Sequence, residues 1–346
     1  MKGLVKYDRG VSSAEIREVP EPKVIPGHVI IEVAACGICG TDLHILADEY
    51  PYKPPVVLGH EFSGTIAEVG PEVSRFRPGD RVVSIPFFST CGRCRFCLTG
   101  HWNLCPERVT AGSGVNGGFA RYVLMPERNL FKVPDHVDLK VAALSEPLAC
   151  NVRAVLEETR VTGGDVVVVL GPGPIGLLAM QVARAAGART MVCGTSQDAV
   201  RLELARTLGA DGVVNIQKDD VSAWIREKTN GEGADIVLEC SGAAPAVMMG
   251  FQLLRRRGQY TQIGLFGKPL TVDVDQVVFK EVRMHGSFSS SWTSWKKAQE
   301  LINQNRIQLA PLVSDILPLS EWQQGFEKCR KKEAMKVLLC PELNCP

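Results

Sequence analysis

A run of apolar residues leading into a glycine-rich turn constrains the fold of this chain more than any other stretch. Residues 166–170 read VVVVL, and the following GPGPIG places Gly171, Gly173, Ile175 and Gly176 ahead of a long apolar helix. A strand this uniformly apolar is typical of the centre of a parallel sheet covered on both faces. In a G-x-G-x-x-G turn the glycines permit a sharp bend, close approach of a pyrophosphate and tight packing of helix on strand. The segment therefore predicts a dinucleotide-binding turn, with these four residues as candidate contacts.

Strands and helices alternate on the C-terminal side of this turn. Four segments read as strands: TMVCG, GVVNI, DIVLEC and QYTQIGL. Helical patterns separate these strands, and the last helical pattern covers 244–258. This alternation predicts a parallel, doubly wound α/β sheet.

The first third of the chain follows a different pattern. HVIIEVAAC, SGTIAEVG, DRVVSIPF and GGFARYVLM are short alternating or β-branched runs with Pro and Gly between them, which predict a mainly antiparallel β domain. The chain has 346 residues, and because domains usually span ~100–200 residues, the two patterns are interpreted as two domains. SWKKAQELINQ reads as a helix, and AMKVLLC as a closing strand that returns to the first domain.

The residues after the second strand of the predicted sheet bear on which dinucleotide is bound. An acid about 20 residues beyond the glycine turn usually holds the adenosine ribose of NAD. Here the strand ends in VCGTSQD, so Thr195 and Ser196 occupy that region and Arg201 follows. Hydroxyls and a guanidinium suit a 2′-phosphate, which favours NADP. NAD remains an alternative, in which Asp198 reaches back to the adenosine ribose or Arg201 stacks on the adenine.

Composition narrows the class of protein. Lys and Arg number 39 against 38 acids, a net charge of +1, which gives no electrostatic basis for a nucleic-acid partner. No apolar run has the ~18 residues of a membrane span, and MKGLVKYDRG lacks the apolar core of a signal peptide. We therefore expect a cytoplasmic protein without a membrane partner. In a reducing compartment its 12 cysteines favour metal binding over disulfides, and Cys345 in the tail is expected to be exposed.

Four of the cysteines form a compact cluster with the spacing C-x2-C-x2-C-x7-C, namely Cys91, Cys94, Cys97 and Cys105. Short loops of this kind bring four sulfurs into a tetrahedron around zinc with little loss of chain entropy. An iron–sulfur cluster is the main rival, but nothing else in the chain indicates electron transfer. The cluster predicts a closed, structural zinc site.

A second set of metal donors is dispersed over three segments, CGICGTDLH at 36–44, GHEFSGTIAEVG at 59–70 and SEPLAC at 145–150. His60 alone would be an ordinary histidine. Next to Glu61, and with a thiolate at Cys39, it becomes a candidate ligand. Three protein ligands and an open position are what a catalytic zinc requires.

These segments, the four-cysteine cluster and GPGPIG occur in the same order as in zinc-dependent medium-chain dehydrogenases, and the chain resembles their sorbitol and threonine dehydrogenase branch over nearly its whole length. The resemblance implies a GroES-like catalytic domain and a Rossmann domain inserted into it. It places the catalytic domain with its zinc lobe at 1–152, the NAD(P)-binding domain at 153–293, and the return to the catalytic domain at 294–346. It also implies two zinc ions per chain.

The resemblance also implies roles for individual residues. Cys39, His60 and Glu146 match the catalytic-zinc ligands, with Glu61 as a fourth or exchanging ligand. Thr41 and His44 match a proton relay that passes through the cofactor ribose. Asp42 would either orient the ligating imidazole or cap a turn. Further cofactor contacts are expected where strands end, at Ser241, Ile263, Gly264, Leu265, Ser287, Phe288 and Ser289.

The expected reaction is reversible oxidation of a small polyol or secondary alcohol to the ketone by hydride transfer to NAD(P). Leu46 and Ser289 stand where polyol-specific relatives carry polar or basic residues, so an amino alcohol of the threonine type remains an alternative. A non-enzymatic zinc- or dinucleotide-binding protein is the other alternative, although such relatives lack the zinc ligands present here. The family implies a homo-oligomer, either a dimer or a tetramer.

Overall fold

The structure is a computed structural model that describes residues 1–11 and 13–341; Cys345, expected to be exposed, lies outside them. The chain divides into two compact units. Unit 1 comprises Met1–Glu146, Ser291–Gln299 and Leu309–Pro346, and unit 2 comprises Pro147–Ser290 and Glu300–Gln308.

The strands are numbered in chain order and have the following bounds: β1 Lys2–Lys6, β2 Ala14–Glu18, β3 His28–Gly37, β4 Val56–Val57, β5 Glu61–Val69, β6 Arg81–Ser84, β7 Phe87–Ser89, β8 Val109–Thr110, β9 Tyr122–Pro126, β10 Leu130–Lys132, β11 Val166–Leu170, β12 Arg189–Gly194, β13 Gly212–Asn215, β14 Ala234–Glu239, β15 Leu254–Gln262, β16 Arg283–Gly286, β17 Val313–Pro318 and β18 Lys336–Cys340.

The α-helices have the following bounds: α1 Gly40–Leu46, α2 Arg95–Leu98, α3 Ser145–Val152, α4 Pro174–Ala185, α5 Ala199–Thr207, α6 Val221–Lys228, α7 Ala244–Leu253, α8 Asp275–Phe279, α9 Trp292–Asn303 and α10 Trp322–Arg330. A π-helix at Arg153–Glu158 continues α3. Within the described residues no helix is both long and apolar enough to cross a membrane.

Unit 1 is built mainly from antiparallel strands, as the alternating runs predict. Its largest sheet has the order β10-β6-β5-β3-β18-β17, and β9 also pairs with β3. The long β3 is mostly buried, with Glu32 exposed, and it pairs with β5, with Gly37 opposite Glu61. β18, predicted from AMKVLLC, is buried at every position and pairs antiparallel with β3. This pairing brings the C-terminal end of the chain beside the first candidate metal donors.

Unit 2 contains a six-stranded parallel sheet, which confirms the doubly wound prediction. Its order is β13-β12-β11-β14-β15-β16. The VVVVL strand β11 lies at the centre, and all five residues are at most 3% exposed. The chain turns from one half of the sheet to the other between β11 and β14. In such sheets the ligand binds at this switch point, outside the carboxyl ends of the strands.

One helix is shorter than its sequence pattern indicates. The helical prediction over 244–258 is wrong beyond Leu253, because Leu254 begins the parallel strand β15. The Lys280 ammonium donates hydrogen bonds to the carbonyls of Phe251 at 2.7 Å, Gln252 at 3.1 Å and Leu254 at 2.9 Å. These bonds satisfy carbonyls that a helix end leaves unpaired. The donor is remote in sequence, so the helical pattern gave no sign of this end.

Candidate metal centres and dinucleotide site

The dispersed donors Cys39, His60 and Glu61 come together in unit 1. One ligand atom from each lies within 4.8 Å of the others. Cys39 directly precedes α1, and His60 directly precedes β5, whose first residue is Glu61. The β3–β5 register holds these two chain segments side by side. A thiol, an imidazole and a carboxylate at this spacing are a donor set that fits zinc.

Asp42 contacts both sides of this donor group. Its Oδ2 accepts a hydrogen bond of 2.9 Å from the Cys39 amide, and its Oδ1 lies 3.6 Å from His60 Nδ1. Asp42 is fully buried, and its Oδ1 accepts no hydrogen bond from the described residues. The turn-capping and imidazole-facing geometries that the sequence left open are thus both present. Burial works to lower the pKa of His60, but the charges of Asp42 and Cys39 raise it well above its ordinary value.

Glu61 forms a buried ion pair that sequence reasoning missed. Lys336 Nζ lies 2.7 Å from Glu61 Oε2 and 3.0 Å from Oε1, and it also donates to the Ile38 carbonyl at 3.1 Å. Burial works to lower the pKa of Lys336, and Glu61 and then Cys39 raise it to a net value above the ordinary one. A Cβ on Gly37 would lie 2.3 Å from Glu61 Oε2, so only glycine leaves space for this pair. The one available signal was a lone lysine in an apolar strand.

The other three candidates for the catalytic site occupy distinct positions. Glu146 is buried in the first turn of α3 and is not part of the group formed by Cys39, His60 and Glu61. Thr41 Oγ1 lies 3.8 Å from Cys39 Sγ. His44, three residues further along α1, is 36% exposed and pairs through Nδ1 with Glu49 at 2.8 Å. α1 thus carries a hydroxyl beside the donor group and an imidazole at the surface.

The four clustered cysteines also converge, with one sulfur from each within 4.8 Å of the others. Cys91 Sγ lies 3.9 Å from Cys97 Sγ and 3.7 Å from Cys105 Sγ. Four sulfurs at ~2.3 Å from one ion stand about 3.8 Å apart in a tetrahedron. A cluster of several irons holds its thiolates on different atoms and spreads them more widely. Amides of Arg93 and Cys94 lower the pKa of Cys91, which favours the thiolate form that binds metal.

The glycine turn of unit 2 has the geometry predicted for it. Gly171 has φ +100° and lies against Ser241, whose Cβ would be 2.7 Å from a Cβ at Gly171. A Cβ on Gly176 would lie 1.9 Å from the Gly171 carbonyl oxygen. Gly173 caps α4 and faces open space, and Ile175 follows in the first turn. Two glycines thus close the turn, and the third leaves its backbone accessible.

The residues after β12 form a small polar cluster. Asp198 Oδ2 accepts hydrogen bonds from the Thr195 amide at 3.0 Å and the Thr195 hydroxyl at 2.8 Å. Asp198 Oδ1 lies 3.5 Å from Arg201 Nη1. Ser196 Oγ accepts a hydrogen bond of 3.0 Å from the Asn215 side chain. Asp198 therefore caps the turn and pairs with Arg201.

The remaining candidate contacts follow strand ends at the same edge of the sheet: Ser241 after β14; Ile263, Gly264 and Leu265 after β15; and Ser287, Phe288 and Ser289 after β16. The Ser287 amide donates to the Gln262 carbonyl at 3.0 Å, which joins the last two of these ends. Glu239 is the last residue of β14, and its carboxylate accepts hydrogen bonds from the amides of Ser241 and Gly242. Sequence reasoning missed Glu239, because a single acid at a strand end has no distinctive pattern.

Comparisons with known proteins agree with this geometry. Residues 25–135 match the alcohol dehydrogenase GroES-like domain, and residues 174–304 match the zinc-binding dehydrogenase family. The chain is 42% identical to sorbitol dehydrogenase of Halalkalibacterium halodurans over 99% of both chains. It is 39% identical to D-arabitol-phosphate dehydrogenase of Enterococcus avium over 98% of this chain and 97% of the relative.

A zinc-binding dehydrogenase from Sinorhizobium meliloti 1021, solved bound to NADP, has a similar structure. It superposes with a TM-score of 0.91 at 33% identity, covering 98% of this chain and 99% of the other. Together with the two convergent metal-donor groups and the glycine turn, these similarities show that the chain belongs to the zinc-dependent medium-chain alcohol dehydrogenase family, and is an oxidoreductase that acts on alcohols.

Proposed function

We propose that this enzyme oxidises a small polyol or secondary alcohol to the ketone, with NADP or NAD as hydride acceptor. The observation that carries the proposal is the convergence of Cys39, His60 and Glu61 in a chain that also holds an open dinucleotide turn. The named activities of the relatives, on sorbitol and on D-arabitol phosphate, support a polyol. Leu46, at the end of α1, keeps the amino-alcohol alternative open.

The metal-holding residues in this proposal are Cys39 and His60, with Glu61 or Glu146 completing the set. A zinc ion bound there supplies Lewis acidity that lowers the pKa of the alcohol hydroxyl. The contact of Asp42 with His60 orients the imidazole and favours one tautomer. Lys336 holds the Glu61 carboxylate away from solvent and neutralises its charge.

We further propose that Thr41 and His44 move the alcohol proton to solvent. Thr41 Oγ1 stands next to the donor group and can pass on a proton through its hydroxyl. The cofactor ribose would connect Thr41 to His44 in this relay. His44 is exposed and engages Glu49 through Nδ1, so its Nε2 is the atom that exchanges protons with solvent.

The other proposed metal site is structural. Cys91, Cys94, Cys97 and Cys105 provide four thiolates and leave no position for substrate. Zinc held there would crosslink the 91–105 segment, which has little regular structure beyond the four-residue α2 and one turn of 3-10 helix.

For the cofactor, we propose that Thr195, Ser196 and Arg201 bind the adenosine ribose end and favour its 2′-phosphate. The NADP in the S. meliloti relative supports this preference. The contact of Asp198 with Arg201 at 3.5 Å opposes it, since the carboxylate offsets part of the guanidinium charge. NADP is therefore preferred over NAD by a small margin.

The organisation of the protein is also proposed. We assign the catalytic domain to 1–152, the dinucleotide domain to 153–293 and the C-terminal return to 294–346, in a cytoplasmic enzyme. We propose a homo-oligomer, either a dimer or a tetramer, because β16 is an edge strand that carries an exposed Met284, and Phe279 nearby in sequence is 67% exposed. Sedimentation of the purified protein would test the oligomer.

The experiment for the proposed function combines metal analysis with two matched cysteine variants. We expect about two zinc ions per wild-type chain, and about one in each of Cys39→Ser and Cys94→Ser. Cys39→Ser should abolish turnover while keeping stability, whereas Cys94→Ser should lose stability. Wild-type protein is assayed with polyols, secondary alcohols and L-threonine against NAD and NADP. Full activity in Cys39→Ser, or no turnover of any alcohol by zinc-loaded wild type, would refute the proposal.

A further inference from the structure

The carboxylate of Glu239 is fully buried at the end of β14 and forms no ion pair with the described residues. Its Oε1 accepts hydrogen bonds from the Ser241 amide at 2.8 Å, the Ser241 hydroxyl and the Gly242 amide at 3.1 Å. Its Oε2 accepts from the Gly242 amide at 3.1 Å and the Gln262 side-chain amide at 2.6 Å. All of these donors are neutral. The arrangement satisfies an ionised carboxylate, which only accepts hydrogen bonds, without cancelling its charge.

The position of this charge in the sheet indicates which half of a bound dinucleotide it acts on. Glu239 ends the strand that adjoins β11 at the switch point of the sheet. In a doubly wound sheet one half binds the adenosine side of a dinucleotide and the other half binds the nicotinamide side. The glycine turn and the polar cluster after β12, formed by Thr195, Ser196, Asp198 and Arg201, belong to the first half. The end of β14 therefore lies under the nicotinamide half.

The loops that follow β14 and β15 are in direct contact with Glu239, and this close packing links its carboxylate to the dinucleotide turn. The main-chain carbonyl of Glu239 accepts hydrogen bonds of 2.9 Å from the amides of Ile263 and Gly264. A Cβ on Gly264 would lie 2.8 Å from Glu239 Oε2, so no side chain from this residue separates the carboxylate from the loop above. Ser241, held by Glu239, also packs against Gly171 of the dinucleotide turn.

We propose that the uncompensated charge of Glu239 shifts the relative affinity of the site from the reduced toward the oxidised nicotinamide. This rests on the proposed function, which supplies the dinucleotide. In that reaction a hydride leaves the carbinol carbon and bonds to C4 of the nicotinamide, the ring loses its positive charge, and one proton is released. A buried negative charge stabilises the cationic ring and not the neutral one. Glu239 is thus a positioning residue that acts through the Ser241–Gly242 turn and favours release of the reduced cofactor.

The test compares dissociation constants for the oxidised and reduced forms of NADP and NAD, measured by fluorescence titration of the zinc-loaded protein. For Glu239→Gln we expect the ratio of the two constants to shift toward the reduced form by about tenfold to twentyfold, as for a unit charge ~10 Å away at an effective dielectric constant of ~20. General loosening of the turn would weaken both forms alike and leave the ratio unchanged. That result would overturn the proposal.

The matched control is Asp235→Asn, the same carboxylate-to-amide change near the opposite end of β14, which should leave the ratio as in wild type. Should Glu239→Gln not fold, Gln262→Lys places an ammonium against the intact carboxylate and should shift the ratio in the same direction. An unchanged ratio in Gln262→Lys would also overturn the proposal. Wild-type protein that bound neither cofactor form would refute the proposed function itself, and the charge inference with it.

Discussion

Replacing Lys336 with methionine would remove the cation from the most deeply buried ion pair beside the candidate metal site. The side chains of Lys336 and Glu61 are 5% and 1% exposed, and their charged atoms lie 2.7 Å apart. Methionine fills a similar volume but leaves the Glu61 carboxylate buried without its cation. Removing one partner of a buried pair typically costs about 3–5 kcal/mol, because the remaining charge is left uncompensated. We expect a loss of this size in the free energy of unfolding of metal-free protein.

A double-mutant cycle separates the charge effect from the loss of packing. In the Glu61→Gln background the carboxylate is absent, so Lys336→Met should cost less than in wild type by about 2 kcal/mol or more. Arg330→Met is the matched control, because Arg330 is 72% exposed in its pair with Glu327 and should lose less than about 1 kcal/mol. Urea unfolding followed by circular dichroism measures the free energy of unfolding of wild type, the two single variants, the double variant and the control. Additive single-variant effects, or a Lys336→Met loss no larger than that of Arg330→Met, would refute the reasoning.

Three further outcomes are expected from the same geometry. Gly37→Ala should lose about 2 kcal/mol of stability and one zinc, since its Cβ would lie 2.3 Å from Glu61 Oε2. Gly40→Ala, with open space around it, should keep both its stability and its zinc. Equal behaviour of the two variants would contradict this. Gly173→Ala should unfold at the wild-type urea concentration but bind dinucleotide more weakly in titrations, and unchanged affinity would count against the turn as the pyrophosphate site. Because the pKa of Lys336 is raised above 10.5, its stabilisation should be fully present below pH 10.5 and be lost as pH rises toward the folded pKa. A pH series of Lys336→Met against wild type measures this, and a difference that disappears below pH 9 would contradict it.

Features encoded by short-range spacing could be predicted well. The VVVVL strand and its glycine turn specify β11 and α4, since hydrophobic pattern and glycine geometry act within a dozen residues. The four-cysteine spacing likewise brings sulfurs together through short loops. Cys39, His60 and Glu61 were recognisable because they lie in two short motifs, CGICGTDLH for Cys39 and GHEFSGTIAEVG for the other two.

Features that depend on packing between distant segments could not be predicted in this way. The end of α7 was misplaced because Lys280, far along the chain, satisfies its last carbonyls. Glu146 was grouped with the other donors by motif; the group of Cys39, His60 and Glu61 within 4.8 Å does not include it, and its part in the metal site stays a prediction.

Local patterns and motif spacing along the chain were sufficient to predict the two folds, the eight metal-ligand candidates and the dinucleotide turn. Which charges are buried, and with which partners, depends on how distant segments pack together. Lys336 stands 275 residues from Glu61, and the two meet because β18 pairs with β3 next to β5. Glu239 gains its role because four neighbouring strands end at one edge of a sheet. The energy of a buried charge depends on its surroundings in space, and no pattern along the chain records them.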